Sequence, residues 1–135
     1  DRVLNQISEN LSNIDSPIQR LYGLTNFYRR YKYDIIEPGG CPIINIGVDA
    51  KHDNPVLLKG VQNTISKLQY LTTKMIINAI EEGEIKKSIN PEKYGKYFFT
   101  LIEGAVFMTS TMNDDSYMQE MMARIDEIIE KELAV

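Results

Sequence analysis

The chain has 135 residues, 43% hydrophobic and 25% charged, with a formal net charge of −4, one Cys and no Trp. Such a length suffices for one domain with a packed core, the composition disfavours extensive disorder, and the acidic balance disfavours a surface that grips a phosphate backbone. No apolar run approaches the roughly 18 residues of a membrane span, no signal-peptide pattern opens the chain, and Cys41 has no second cysteine to pair with, which fits a reducing, cytoplasmic setting.

Taken in chain order, residues 1–13 place Leu4, Ile7 and Leu11, and then Ile14, on one helical face. Ser16-Pro17 opens the next helix. A polar cap is followed by Pro at the first helical position, where a missing N–H costs nothing. Gln19 stands at the capping-box spacing from Ser16. Over 17–33 the residues Ile18, Leu21, Tyr22, Thr25 and Tyr28 share a face, and Arg29, Arg30 and Lys32 suit the negative end of the helix dipole.

Residues 34–54 break this pattern. Glu37-Pro38-Gly39-Gly40-Cys41-Pro42 reads as a loop. Ile43 to Val48 has β-branched content, but no partner strand is predicted elsewhere, so the segment is read as a short helix.

Asn54-Pro55 opens the longest helix, 55–82, which spans roughly 40 Å. Its stripe is Val61, Ile65, Leu68, Thr72, Met75 and Ala79, widened by Leu71, Ile76, Ile77 and Ile80, the pattern of a central helix. Gly83 ends it. Asn90-Pro91 opens 91–112, with Tyr94, Phe98, Leu101, Ala105, Met108 and Met112 in register. Asn113-Asp114-Asp115-Ser116 opens 115–133, where Met118, Met122, Ile125 and Ile129 recur, with Met121 and Ile128 alongside. Both last helices carry more apolar surface than one face of a small monomer needs, so they are expected to pair. The fold class is all-α, a bundle of about six helices in a single domain over 1–135.

Few of these residues suggest catalysis. One His and one Cys, His52 and Cys41, cannot supply the four ligands of a closed zinc site, and Asp49 before His52 makes at most one acidic-x-x-His pair. Cys41 and His52 border one segment and could meet, but a small buried thiol and a surface imidazole account for them more simply. Gly39-Gly40 is followed closely by Pro42 and makes no phosphate loop. No metal and no cofactor is therefore expected, and no enzyme active site.

Binding is better supported. Tyr22, Phe27, Tyr28, Tyr31 and Tyr33 crowd one short stretch. Each alone is explained by packing, with a hydroxyl tip reaching solvent. With the polar positions Gln69 and Thr72 on the central helix they suggest a cavity with a few polar handles, beside Tyr28 and Thr72 and of roughly 300 Å³ or more. Glu103, one turn from Phe99 and Phe107, faces an interface edge, a core partner or that cavity.

The order of segments adds a resemblance. Gly-Gly-Cys-Pro-Ile-Ile-Asn-Ile-Gly-Val-Asp-Ala over 39–50, Asp-Asn-Pro over 53–55 opening a long helix, the turn Gly83-Glu84-Ile85 and Leu-Ile-Glu-Gly-Ala over 101–105 together resemble the regulatory domains of TetR-family transcriptional regulators. The resemblance implies a homodimer in which the last two helices form a four-helix bundle with their copies. Its interface would comprise Phe98, Leu101, Ala105, Met108, Met112, Met118, Met121, Met122, Ile125, Ile128 and Ile129. It also implies an effector cavity among the earlier helices, with 43–51 near its entrance. The expected lining is Leu24, Phe27, Tyr28 and Tyr31, then Ile44 and Val48, then Ile65, Leu68, Gln69 and Thr72, then Phe99 and Glu103. That lining suits a small apolar or aromatic molecule whose binding releases operator DNA. No helix here is basic enough to read DNA, so operator contact is expected only through an N-terminal helix-turn-helix absent from this chain. The alternatives are a dimerisation module with a filled core and no ligand, and, less favoured, a small helical enzyme.

Overall fold

The computed structural model describes residues 2–31, 47, 51 and 54–135, with side chains from Leu4 onward. Five α-helices follow in chain order: α1 (Arg2–Leu11), α2 (Pro17–Arg30), α3 (Pro55–Glu81), α4 (Pro91–Met112) and α5 (Ser116–Ile128). A π-helical turn, Ile129–Leu133, extends α5. The fold class is all-α, as the periodicity indicates, and no strand occurs among the described residues. Gly47 and Lys51 are helical, and the rest of the segment expected as a sixth helix lies outside the described residues.

The polar-cap-plus-Pro signals begin helices where they stand in the sequence. Ser16 Oγ accepts from Gln19 N at 3.4 Å, and Asn54 Oδ1 accepts from Leu57 N at 3.0 Å. Asn90 Oδ1 accepts from Glu92 N at 3.1 Å and Lys93 N at 3.3 Å. The cap of α2 is completed by a distant residue: the Ser16 hydroxyl donates to Glu84 Oε2, and Ile18 N donates to Glu84 Oε1 at 3.4 Å. Gly83 ends α3 at φ +75°, a left-handed conformation that glycine adopts without steric cost. At the start of α5, Ser116 N donates to Asp114 Oδ1 at 2.9 Å, and that bond holds the Asp114 carboxyl below its ordinary pKa.

The ends of two helices are earlier than their periodicity suggests. α1 stops at Leu11, where Ile14 N turns back to the Leu11 carbonyl at 3.1 Å. α2 stops at Arg30, with Tyr31 already extended at ψ 129°. The apolar period continues past the last helical bond in both.

α3 packs against α2 and α4, α4 against α5, α5 against α2, and α1 against α2. Leu21, Ile76, Ile85, Phe98, Met118, Met122, Ile125, Ile129 and Leu133 are almost wholly buried. Each contributes roughly 1.5–3 kcal/mol of hydrophobic stabilisation. α3 and α4 approach closely at Gly95, where a Cβ would lie 2.0 Å from Thr73 Oγ1. The end of the chain is tied to the α3–α4 turn by an Ile85–Ala134 antiparallel bridge. Lys86 N donates to the Leu133 carbonyl at 2.9 Å, and Val135 N to that of Glu84 at 3.2 Å.

Most of the residues expected at a dimer interface are packed within the chain. Phe98, Ala105, Met118, Met122, Ile125, Ile128 and Ile129 are 0–6% exposed within one chain. They belong to the hydrophobic core of the chain itself. The reason is geometric: the buried face of α4 is Gly95, Phe98, Ile102, Ala105, Val106 and Thr109, offset from the stripe the sequence suggests. Leu101, Met108 and Met121 are half-buried, and Met112 is 56% exposed.

Candidate functional site

α2 presents Leu24, Phe27 and Tyr28 on one face, and Tyr31 follows at its C-cap. All four are buried. The rings of Phe27 and Tyr28 meet edge-on with centroids 5.4 Å apart, and Phe27 and Tyr31 lie 5.3 Å apart. Gly23 on α2 faces α1, and a Cβ there would sit 2.6 Å from Leu11 Cδ2. The two helices can be this close because that position has no side chain.

Beside these rings a shallow depression of about 170 Å³, open to solvent, lies between α1 and α2 and is lined by Asn10, Phe27, Arg30 and Tyr31. Phe27 and Tyr31 form an apolar floor, while Asn10 and Arg30 are exposed and form a polar rim. Asn10 Nδ2 donates to the Gln6 carbonyl at 2.7 Å, and Arg30 Nε to that of Asn26 at 3.2 Å. Asn10 and Arg30 were missed as lining residues because exposed polar side chains at helix ends carry no periodic signal.

On α3, Ile65, Leu68 and Gln69 are half-buried and Thr72 is buried, all on one face. On α4, Phe99 and Glu103 are half-buried one turn apart, and Ser110 follows on the same face. Ser110 Oγ and the nearby Thr109 Oγ1 are buried without a hydrogen-bond partner among the described residues, so a ligand or water at this face would find hydroxyls to satisfy. Thr72, Gln69 and Glu103 do not line the 170 Å³ depression. Ile44 and Val48, expected at the entrance, lie outside the described residues, as do Cys41 and His52. Gly47 is described: a Cβ there would meet Val61 Cγ1 at 3.3 Å, so this point of the chain lies against α3. Among the described residues no three His, Cys, Asp or Glu side chains are grouped as a metal site would need.

The opposite face of α2 is tied to α5 by polar groups. Thr25, 1% exposed, donates from Oγ1 to Asp126 Oδ1 at 2.6 Å. Arg29 Nη2 lies 2.7 Å from Asp126 Oδ2. Gln119 Nε2 reaches the Arg29 carbonyl at 3.1 Å. Burial, aided by the Asp126 and Glu130 carboxylates, raises the Tyr22 phenol above its ordinary pKa. The helix that lines the depression is therefore fixed to the last helix by a charge-assisted contact. Asp126 is indistinguishable in sequence from the solvated acids around it.

The family of tetracyclin repressor-like C-terminal domains matches this chain over residues 17–125. The chain belongs to that family, the C-terminal domains of TetR-type regulators. Two solved structures share the fold. A TetR transcriptional regulator from Chloroflexus aurantiacus J-10-FL aligns at a TM-score of 0.85 and 18% identity, covering 98% of this chain and 67% of its own length. A TetR-family transcriptional regulator from Cytophaga hutchinsonii aligns at 0.86 and 17% identity, over 98% of this chain and 66% of its own. The TetR-type domain thus spans about two thirds of each. No curated protein matches it in sequence. Among the described residues no helix is long and apolar enough to cross a membrane.

Proposed function

We propose that residues 1–135 form the effector-sensing and homodimerising domain of a cytoplasmic one-component TetR-type repressor. The observation that carries this reading is the membership of the TetR-type C-terminal family, joined by an open aromatic-floored depression between α1 and α2, on a helix anchored by Asp126 to α5. An occupant would pack against Phe27 and Tyr31, and Asn10 and Arg30 could bond one polar group of it. An apolar or aromatic molecule with a hydrogen-bond acceptor fits that chemistry. α1 is held on α2 through the buried Ile7 and Leu11, so an occupant wedged in the depression would tilt α1 against a fixed α2–α5 pair. In the full-length protein that tilt would pass to an N-terminal DNA-binding domain, and the operator would be released. The domain has no catalytic role in this reading and uses no cofactor.

A thermal-shift screen of small aromatic and apolar metabolites tests the proposal. An effector at one hundred times its Kd stabilises the chain by about 2.7 kcal/mol. The shift should vanish in Tyr31→Ala and weaken in Arg30→Ala. Binding that survives both substitutions would move the site elsewhere, and a broad panel without any shift would favour a dimerisation module with no effector.

A further inference from the structure

We infer that the outer face of α3 is a docking surface for an acidic amphipathic helix of a partner protein. Neither effector binding nor dimerisation, as proposed above, draws on this face. From Pro55 to Ile80 the helix carries Lys59, Lys67 and Lys74 and no acidic residue, in a chain whose net charge is −4. At 3.6 residues per turn the three lysines fall within roughly 80° of one another around the axis. Asn63 and Tyr70 lie on the same side, and all five residues are exposed. Val61, Thr72, Ile76 and Ala79 are buried on the other side.

The stripe has no counter-charge of its own. A charged helix face is commonly balanced by opposite charges three or four residues away, as Arg124 and Glu127 are on α5. On α3 every residue three or four positions from Lys59, Lys67 and Lys74 is neutral. None of the three lysines forms an ion pair with a described residue. Apolar surface stands among them: Tyr70 is 55% and Leu71 49% exposed between Lys67 and Lys74, and Val56 is 83% exposed at the amino-terminal end. A tyrosine ringed by polar and charged groups is the usual anchor of a protein interface.

The spacing selects a helix as the occupant. Eight and seven residues separate the lysines, about 12 Å and about 10 Å along the axis. Carboxylates at eight- and seven-residue steps on a second helix repeat those distances, and an apolar residue between them would meet Tyr70 and Leu71. Glu81, one heptad beyond Lys74 and exposed, carries the opposite charge and marks where the partner's acids stop. Other polyanions fit less well. Duplex DNA carries one charge per about 1.7 Å, of which three lysines neutralise few, and the chain's net charge opposes it at long range. Basic clusters that hold anionic lipid have about four to eight Lys or Arg.

The test offers the 135-residue chain a synthetic helical peptide with Glu at those steps and Leu between them. Its comparators are a scrambled peptide of the same composition, a DNA duplex of unrelated sequence, and vesicles containing phosphatidylserine. The patterned peptide should bind at least tenfold tighter than the scrambled one, and more weakly as salt rises. Lys67→Glu combined with Lys74→Glu should weaken it at least tenfold, and a peptide with Lys at the facing positions should restore binding. Tyr70→Ala should weaken it at least tenfold with the helical circular dichroism unchanged, whereas Lys131→Glu should leave it unaltered. Equal binding of the two peptides, or binding indifferent to the double substitution, would overturn the inference. Binding to the duplex or the vesicles and to neither peptide would overturn it in favour of that polyanion. Should the double variant not fold, the scrambled peptide on the wild-type chain and Tyr70→Ala decide the matter.

Discussion

α4 and α5 are neighbours of similar apolar content, yet their outward faces differ. The solvent side of α4 carries Tyr97, Leu101, Gly104, Phe107 and Met112, and no ion pair is formed there by the described residues. The solvent side of α5 carries Glu120, Arg124 and Glu127, and Glu130 follows in the turn that extends it. Arg124 Nη1 lies 2.9 Å from Glu127 Oε1, and Nη2 lies 3.6 Å from Glu132 Oε2. One face carries ion pairs and the other exposed apolar side chains. The apolar residues of α5 are consumed by the chain's own core, whereas α4 has enough for the core and for a second surface.

The sharpest contrast comes from charging each helix in turn. Ile125→Glu on α5 puts a carboxylate among fully buried side chains, and a buried charge without a partner costs several kcal/mol. The expected result is an unfolded chain, seen as loss of helical circular dichroism, rather than a folded monomer. A folded monomer would mean that Ile125 belongs to the subunit interface after all. Phe107→Glu on α4 changes an exposed residue, so it should leave the monomer folded and weaken dimerisation about a hundredfold. If it instead unfolds the chain at high dilution, Phe107 is needed by the monomer and the comparison fails.

Smaller effects separate the two faces of α5. Asp126→Ala removes a carboxylate that holds both Thr25 and Arg29, and hydrogen bonds to charged groups are each worth about 1.5–3 kcal/mol. Urea denaturation should show a loss of about 2 kcal/mol, and effector-induced stabilisation should fall if α5 is the anchor against which α1 moves. Arg124→Ala disturbs only half-exposed pairs and should change stability by less than about 1 kcal/mol. Equal losses from the two substitutions would remove the distinction between the α2–α5 seam and the outer face.

The weakest effect is at alkaline pH. Burial with the Asp126 and Glu130 carboxylates raises Tyr22, and burial with the Glu132 carboxylate, which accepts the Tyr94 hydroxyl proton at 3.2 Å, raises Tyr94. A raised pKa means that the folded chain holds the phenolic proton more firmly than the unfolded chain. The stability so contributed is complete below about pH 10 and is lost as pH climbs through the folded values. The melting temperature should therefore fall above pH 10, and less so in Tyr22→Phe. A melting temperature that rises in that range would contradict the sign.

Much of the fold was legible because the helix starts are chemical. Ser16-Pro17, Asn54-Pro55 and Asn90-Pro91 each pair a side-chain acceptor with a residue that has no N–H to satisfy, and each begins a helix. Gly83 marked a positive φ. Which face of α4 points inward was not legible. Its apolar residues run nearly all the way round, and periodicity then fixes a helix without fixing its rotation, so Phe98 and Ala105 read as interface when they are core. The depression was legible only in its aromatic part. Phe27 and Tyr31 line it, but Asn10 and Arg30 gave no pattern, and Ile44 and Val48 lie outside the described residues. The Asp126 contact depends on α2 and α5 meeting across about a hundred residues of chain, which no local signal encodes.

Sedimentation equilibrium of the wild-type chain beside Phe107→Glu tests the central claim most directly. A wild-type dimer and a folded Phe107→Glu monomer are predicted across the micromolar range. A Phe107→Glu chain that dimerises as tightly as the wild type, or a wild-type chain that never dimerises, would contradict the assignment of the α4 face to a second subunit.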